Sequence, residues 1–162
     1  MLELKDVSVV FNEGTVNEKV ALNNINLALD KGDFVTIIGS NGAGKSTLFQ
    51  AISGAVDTKR GNIILNGRDI TFEPEYKRSK GIGRLFQDPL KGTAPNMTIE
   101  ENLHLSNQRG KHFSLSLMSH RHREEFKKAL MELELGLEER LDSKVGLLSG
   151  GQRQALTLLT VS

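Results

Sequence analysis

The run Gly39-Ser40-Asn41-Gly42-Ala43-Gly44-Lys45-Ser46-Thr47 constrains what this chain can fold into more than any other stretch. It fits G-x-x-x-x-G-K-S, the pattern of a phosphate-binding loop, or P-loop. An apolar, β-branched run, Phe34-Val35-Thr36-Ile37-Ile38, leads into it and reads as a buried strand. A helical pattern follows, with Leu48, Ala51, Ile52 and Ala55 spaced i, i+3, i+4 and i+7 on one face. Strand, glycine-rich loop and helix is the context that gives the pattern meaning.

The chemistry follows from the backbone. A helix N-terminus has N–H groups without intrahelical partners and carries the positive end of the helix dipole. Glycines let successive N–H groups turn inward around an anion, and Gly39, Gly42 and Gly44 suit that role. Lys45 can reach the β- and γ-phosphates, and the Ser46 hydroxyl can ligate Mg²⁺. Thr47 adds a further hydroxyl. Ser40, Asn41 and Ala43 complete the loop that would wrap the phosphates.

The chain has 162 residues, enough for one domain with a core or for part of a larger one. Its net charge of +1 implies no polyanionic partner, so no nucleic acid is expected. The clusters Lys77-Arg78-Ser79-Lys80 and His120-Arg121-His122-Arg123 read as solvated faces. Cysteine is absent, which excludes disulfides and Cys-based zinc sites and fits a reducing compartment. Met1-Leu2-Glu3-Leu4-Lys5-Asp6 has charges where a secretory signal would be apolar. No run approaches the roughly 18 apolar residues of a membrane span. The chain is therefore expected to be cytosolic and to reach a membrane only by docking to another protein.

Residues 2–11 alternate apolar and polar with one slip, so a strand with a bulge near Asp6 is predicted. Ile25, Leu27 and Leu29 alternate as a second strand. Ile63-Ile64-Leu65 forms a third, followed by the turn signal Asn66-Gly67. A short helix is predicted after Pro74. Residues 81–86 return to strand. After Pro95 helices take over. Thr98-Ile99-Glu100-Glu101 is a capping box, with a helix over about 99–107. Residues 108–120 read as a loop, and Phe126, Leu130, Leu133 and Leu137 as the stripe of a helix from about 120 to 140. His104, His112, His120 and His122 lack a surrounding ligand pattern and read as surface residues.

A second motif closes the chain: Leu148-Ser149-Gly150-Gly151-Gln152-Arg153-Gln154. Ser149 at N-cap and Gln152 three positions on form another capping box, with Ala155, Leu158 and Leu159 as an apolar face. Two glycines in a first turn weaken a helix. They make sense where another molecule must approach the backbone, and an anion is what a helix start attracts.

Taken together, Gly39–Thr47 and Leu148–Gln154 strongly resemble the Walker A and signature motifs of the ATP-binding-cassette (ABC) ATPases. Gln87 is similar to the family's Q-loop residue, and Phe11 to the aromatic that stacks on adenine. Residues 81–89 and 96–103 look like those of bacterial amino-acid-type importer subunits, especially the branched-chain group. The resemblance runs from Met1 to about Leu159.

It implies an α/β fold: a P-loop NTPase (RecA-like) core with an N-terminal antiparallel β portion and an inserted helical subdomain. Residues 1–93 would be the core with its β subdomain, 94–148 the helical subdomain and 149–162 the signature helix. The resemblance also implies ATP and Mg²⁺ as cofactors, with Lys45 and Gln87 in catalysis and Ser46 and Gln87 at the metal. Two such subunits would pair head-to-tail. Ser149, Gly150, Gly151 and Gln152 of one would then meet the γ-phosphate held by Lys45 of the other. A transmembrane permease would be the further partner, at the inner face of the membrane.

The family continues past the signature helix into a Walker B Asp, a catalytic Glu and a switch His. None of these is present here, and the four histidines are placed elsewhere. The expectation is a truncated domain, lacking the C-terminal part of the core, that binds Mg-ATP weakly and hydrolyses it negligibly. The competing readings are a non-hydrolysing nucleotide-binding remnant and a non-transport ABC ATPase. The short helical subdomain and modest charge disfavour the latter. A nucleotide kinase would not account for Leu148–Gln152.

Overall fold

The computed structural model describes residues 1–108 and 120–161. The loop expected over 108–120 lies almost wholly outside them, as do His112 and the side chain of His120. The chain divides into two compact units, Met1–Arg78 and Ser79–Ser162.

The first unit is built on an antiparallel sheet in the order β2-β1-β3-β4. Its strands are β1 (Leu2–Phe11), β2 (Lys19–Leu29), β3 (Arg60–Leu65) and β4 (Arg68–Asp69). The slip foreseen near Asp6 is a bulge. Pairing of β1 with β2 jumps from Leu4↔Leu27 to Val7↔Ile25, and Asp6 has a left-handed φ of 52°. Asn26 repairs the gap in the ladder: its Oδ1 accepts from the Asp6 N–H (3.0 Å) and its Nδ2 donates to Asp6 Oδ1 (3.0 Å). The extra residue returns Val7 and Val9 to the face of Leu4, and all three are buried with Leu22 and Ile63. Asn66 and Gly67 take φ of 51° and 79°, the left-handed pair that a tight hairpin turn between β3 and β4 requires.

Helix α1 (Lys45–Ser53) buries Leu48 and Ala51. Ala55, expected on the same face, lies beyond the helix and is exposed. Helix α2 (Glu75–Arg78) is the short helix foreseen after Pro74.

Two expected strands do not form. Residues 34–38 are irregular, and of 81–86 Gly81 stands in a turn and the rest is irregular. Phe34 is 94% exposed and Ile38 90%. The apolar, β-branched composition of 34–38 suits a pleated, half-buried surface, but composition alone pairs no backbone groups. Among the described residues no strand lies beside either segment. A strand without a neighbour has no ladder to stabilise it.

The second unit is helical. Helix α3 (Ile99–Asn107) starts at the foreseen capping box. Thr98 Oγ1 accepts from Glu101 N–H (3.1 Å) and Glu101 Oε2 accepts from Thr98 N–H (2.7 Å). Asn102, buried on α3, bonds Ala94 through both ends of its amide (2.8 and 3.0 Å) and fixes the approach to the helix. Helix α4 (His120–Met131) is shorter than predicted. Beyond Met131 the backbone turns left-handed at Glu134 and Gly136 (φ 53° and 65°), so helical geometry does not run on to 140. The stripe still serves: Leu130 and Leu137 are fully buried, and Phe126 and Leu133 pack against the same core. Helix α5 (Gly150–Val161) turns Leu156 and Thr157 inward; of the predicted face, Leu159 packs against the same core, Ala155 is half-buried and Leu158 is exposed.

The two basic clusters are not solvated faces throughout. Arg78 is 3% exposed. Arg123 pairs with Glu100 on α3 and with both oxygens of Asp142 (3.1 and 2.7 Å), tying α4 to the neighbouring helix and turn. That hydrogen bond raises the Arg123 pKa and holds the Asp142 carboxyl below the usual carboxylate range. His104 and His122 are half-buried rather than on the surface, with ring centroids 6.0 Å apart.

Candidate functional site

The glycine-rich loop folds as a helix entrance. Gly44, immediately before α1, has φ 87° and ψ 1°, and its carbonyl accepts from Leu48 N–H (2.9 Å). A Cβ there would lie 2.6 Å from the Ala21 carbonyl oxygen on β2. Glycine is therefore required at 44 both by torsion and by space. Gly42 is also left-handed (φ 85°), and Ala43 N–H donates to Ser40 O (3.2 Å), closing a turn inside the loop. Residues 39–43 are exposed.

Lys45 folds back over this loop. Its Nζ donates to the carbonyls of Gly39 (2.6 Å) and Ser40 (2.7 Å). No side chain caps the start of α1, and its first turn holds no acidic residue. The positive end of a helix dipole and an ammonium thus meet at one loop, where the first turn of α1 supplies no carboxylate to balance them. A bound phosphate is the group that fits there. ATP with Mg²⁺ fits this donor set: the loop N–H groups and Lys45 would hold the phosphates, and the exposed Ser46 hydroxyl would serve the cation. Thr47 is half-buried in the same turn. Phe11, half-buried, closes β1 opposite Lys19. All of these lie in the first unit.

The remaining candidate residues lie in the second. Gln87 is exposed on the irregular segment before Asp88. At the start of α5 the foreseen capping box is formed: Ser149 Oγ accepts from Gln152 N–H (3.3 Å), and Gln152 Oε1 accepts from Ser149 N–H (3.2 Å). Gly150 and Gly151 are exposed, and a Cβ on either would meet nothing within 4 Å. Among the described residues no packing requires glycine at these two positions. Arg153, within the motif, anchors the approach to α5. Its guanidinium donates to the carbonyls of Val145 (3.3 Å), Gly146 (3.1 Å) and Leu148 (2.9 Å). No sequence signal marks that role, because Arg153 sits in a helix whose exposed face would equally carry an arginine.

Comparison with known proteins adds independent evidence. The ABC transporter family profile matches residues 22–162. The chain is 41% identical over 162 residues to a tyrosine transport ATP-binding protein of Clostridioides difficile (strain R20291), covering 100% of this chain and 64% of that one. It is 35% identical over 159 residues to a xylose/arabinose import ATP-binding protein of Sulfolobus acidocaldarius, covering 98% and 59%. The chain thus spans less than two thirds of either relative's length. Among solved structures, the ATP-binding cassette MJ0796 in a dimeric post-hydrolysis state bound to ADP and Pi is similar with a TM-score of 0.81 and 26% identity. That likeness covers 99% of this chain and 68% of the other. The helix-entrance loop with its returned lysine is thus the P-loop of an α/β nucleotide-binding fold, and the chain belongs to the ABC transporter family as part of its ATPase domain.

Proposed function

We propose that the chain is the ATP-binding portion of an ABC import subunit, and that Gly39–Thr47 holds Mg-ATP. The observation that carries this is Lys45 Nζ poised on the Gly39 and Ser40 carbonyls at the uncapped start of α1. Lys45 would exchange those carbonyls for the β- and γ-phosphate oxygens, a charge-assisted bond stronger than the neutral acceptors it leaves. Phe11 would stack on the adenine, while Ser46 and Gln87 would serve the Mg²⁺, which neutralises phosphate charge when bound.

The open glycines of α5 extend the reading. Gly150 and Gly151 present backbone at a helix start with space above them, flanked by Ser149 and Gln152, whose own N–H groups close the capping box. A second subunit's γ-phosphate would occupy that space, giving a head-to-tail pair with two equivalent sites. Amino-acid import is the substrate reading, supported by the tyrosine transport relative. A permease would hold the pair at the inner face of the membrane. Among the described residues no helix is long and apolar enough to cross a membrane.

None of the candidate site residues Phe11, Gly39–Thr47, Gln87 and Ser149–Gln152 is a carboxylate that could orient an attacking water, so these 162 residues assayed by themselves are proposed to turn over negligibly. Steady-state phosphate release tests this: the expected rate is indistinguishable from buffer, and turnover at about 1 s⁻¹ or faster would refute it. Co-purification of the tagged chain with a polytopic membrane protein tests the import assignment, and association with a soluble repair or translation complex would replace it.

A further inference from the structure

Arg78 is a buried cation that the nucleotide reading does not use. Its guanidinium donates to four carbonyl groups. Nη1 reaches Ala51 O (2.7 Å) and Ile52 O (3.1 Å), Nη2 reaches Thr71 O (2.7 Å), and Nε reaches Glu73 O (2.8 Å). Ala51 and Ile52 are in the last turn of α1, where carbonyls run out of i+4 partners; Ala51 O also accepts from the Gly54 N–H (3.2 Å). That turn contains no basic residue of its own. Arg78 supplies the cation from 27 residues further along the chain.

From these contacts we infer that Arg78 is a positioning residue for the nucleotide site, holding the far end of the helix whose near end forms the phosphate-binding loop. The inference rests on the nucleotide reading of Gly39–Thr47. Helix α1 has nine residues, about 13 Å at 1.5 Å per residue, so its ends are close enough for a tilt at one to move the other. A phosphate at the positive end of a helix dipole and a guanidinium at the negative end complement the same dipole.

The surroundings fit that role better than a packing role. An apolar side chain would fill the volume without the cost of burying a charge. Burial pushes the Arg78 pKa down, and the charges of Glu73, Asp57 and Asp69 oppose that shift. The carbonyl cluster instead matches the planar fork of a guanidinium. Gly54 makes the room. It turns left-handed at φ 82° to end α1, and a Cβ there would lie 2.9 Å from Arg78 Nε.

The test compares the wild-type chain with Arg78→Met and Arg78→Lys. Binding of Mg-ATP and of Mg-tripolyphosphate, which offers phosphates without a base, is measured by calorimetry. Amide hydrogen exchange is followed in α1 and in β1. Arg78→Met is expected to weaken both ligands about tenfold and to the same extent. It should speed exchange across α1 while β1 keeps wild-type protection. Arg78→Lys, which restores the charge at the helix end, should recover a substantial part of the affinity and keeps the test open if the methionine variant fails to fold. Wild-type affinity in Arg78→Met, no recovery in Arg78→Lys, or equal loss of protection in β1 and α1 would overturn the inference alone. A wild-type chain that binds neither ligand would overturn the nucleotide reading and this inference with it.

Discussion

Lys45 Nζ donates to the carbonyl oxygen of Gly39 at 2.6 Å, so the lysine of the loop is hydrogen-bonded to the residue that opens it. A Cβ on Gly39 would meet Ala43 Cβ at 3.3 Å, so the loop is drawn tight enough for that reach. The same ammonium also serves Ser40 O. Both acceptors belong to exposed residues and can turn to water when the lysine leaves. Lys45→Met is therefore expected to change folding stability by less than about 1 kcal/mol, the ordinary scale of one exposed hydrogen-bonding group. Urea denaturation of the two chains measures this. A loss of several kcal/mol would make Lys45 a structural residue instead.

Gly44→Ala tests the geometry of the helix entrance. The new methyl would lie 2.6 Å from Ala21 O, at a torsion of 87° that alanine disfavours. Strain of this kind costs about 1–3 kcal/mol. A lower denaturation midpoint, with weakened protection of α1 and the adjoining part of β2, is the expected result. An unchanged midpoint would show that the loop relaxes freely.

Gly151→Ala should have the opposite sign. A Cβ there meets nothing within 4 Å, and alanine favours helix over glycine by up to about 1 kcal/mol. The chain alone should gain stability. If the glycines serve a second subunit's phosphate, the same substitution in a subunit of full family length should impair nucleotide-dependent pairing, which sedimentation with Mg-ATP would measure. Unimpaired pairing would remove the proposed role of this position.

Asp69 sets an acid limb for the first unit. Hydrogen bonds from the Thr71 hydroxyl (2.5 Å) and the Thr71 N–H (2.8 Å) hold its carboxyl below the usual carboxylate range. A carboxylate whose folded pKa is depressed stabilises the fold above its unfolded pKa, and that stability is lost as pH falls through the folded value. Thr71→Val removes the hydroxyl, which also accepts from Ile63 N–H (2.8 Å). The Asp69 titration, followed by NMR of its side-chain carboxyl, should move upward toward 3.8 in the variant. A midpoint that stays in place would mean that the Thr71 N–H, the Asn62 amide and the Arg78 charge set it without the hydroxyl.

What the sequence disclosed was whatever a few neighbouring residues decide. Thr98 with Glu101 and Ser149 with Gln152 are capping boxes closed within one turn, and both form as read. Asn66-Gly67 and the slip at Asp6 are likewise local, and both appear as turn and bulge. Residues 34–38 and 82–86 carry strand composition, but a strand exists only with a neighbour, and none lies beside them among the described residues. Arg78 looked like one of three basic residues in a charged run. Its partners, Ala51 and Ile52, are 27 and 26 residues away, beyond the reach of any periodicity. In the candidate site the motif identified the residues, while the return of Lys45 onto Gly39 and the open space above Gly151 required coordinates.

Whether Gly39–Thr47 grips a nucleoside triphosphate through Lys45 is decided by calorimetric titration of the 162-residue chain with Mg-ATP, beside its Lys45→Ala variant. Single-site binding by the wild type, weakened at least about tenfold in Lys45→Ala with the fold intact by circular dichroism, is the predicted result. Equal affinity in both chains, or no binding by a folded wild type, would contradict it.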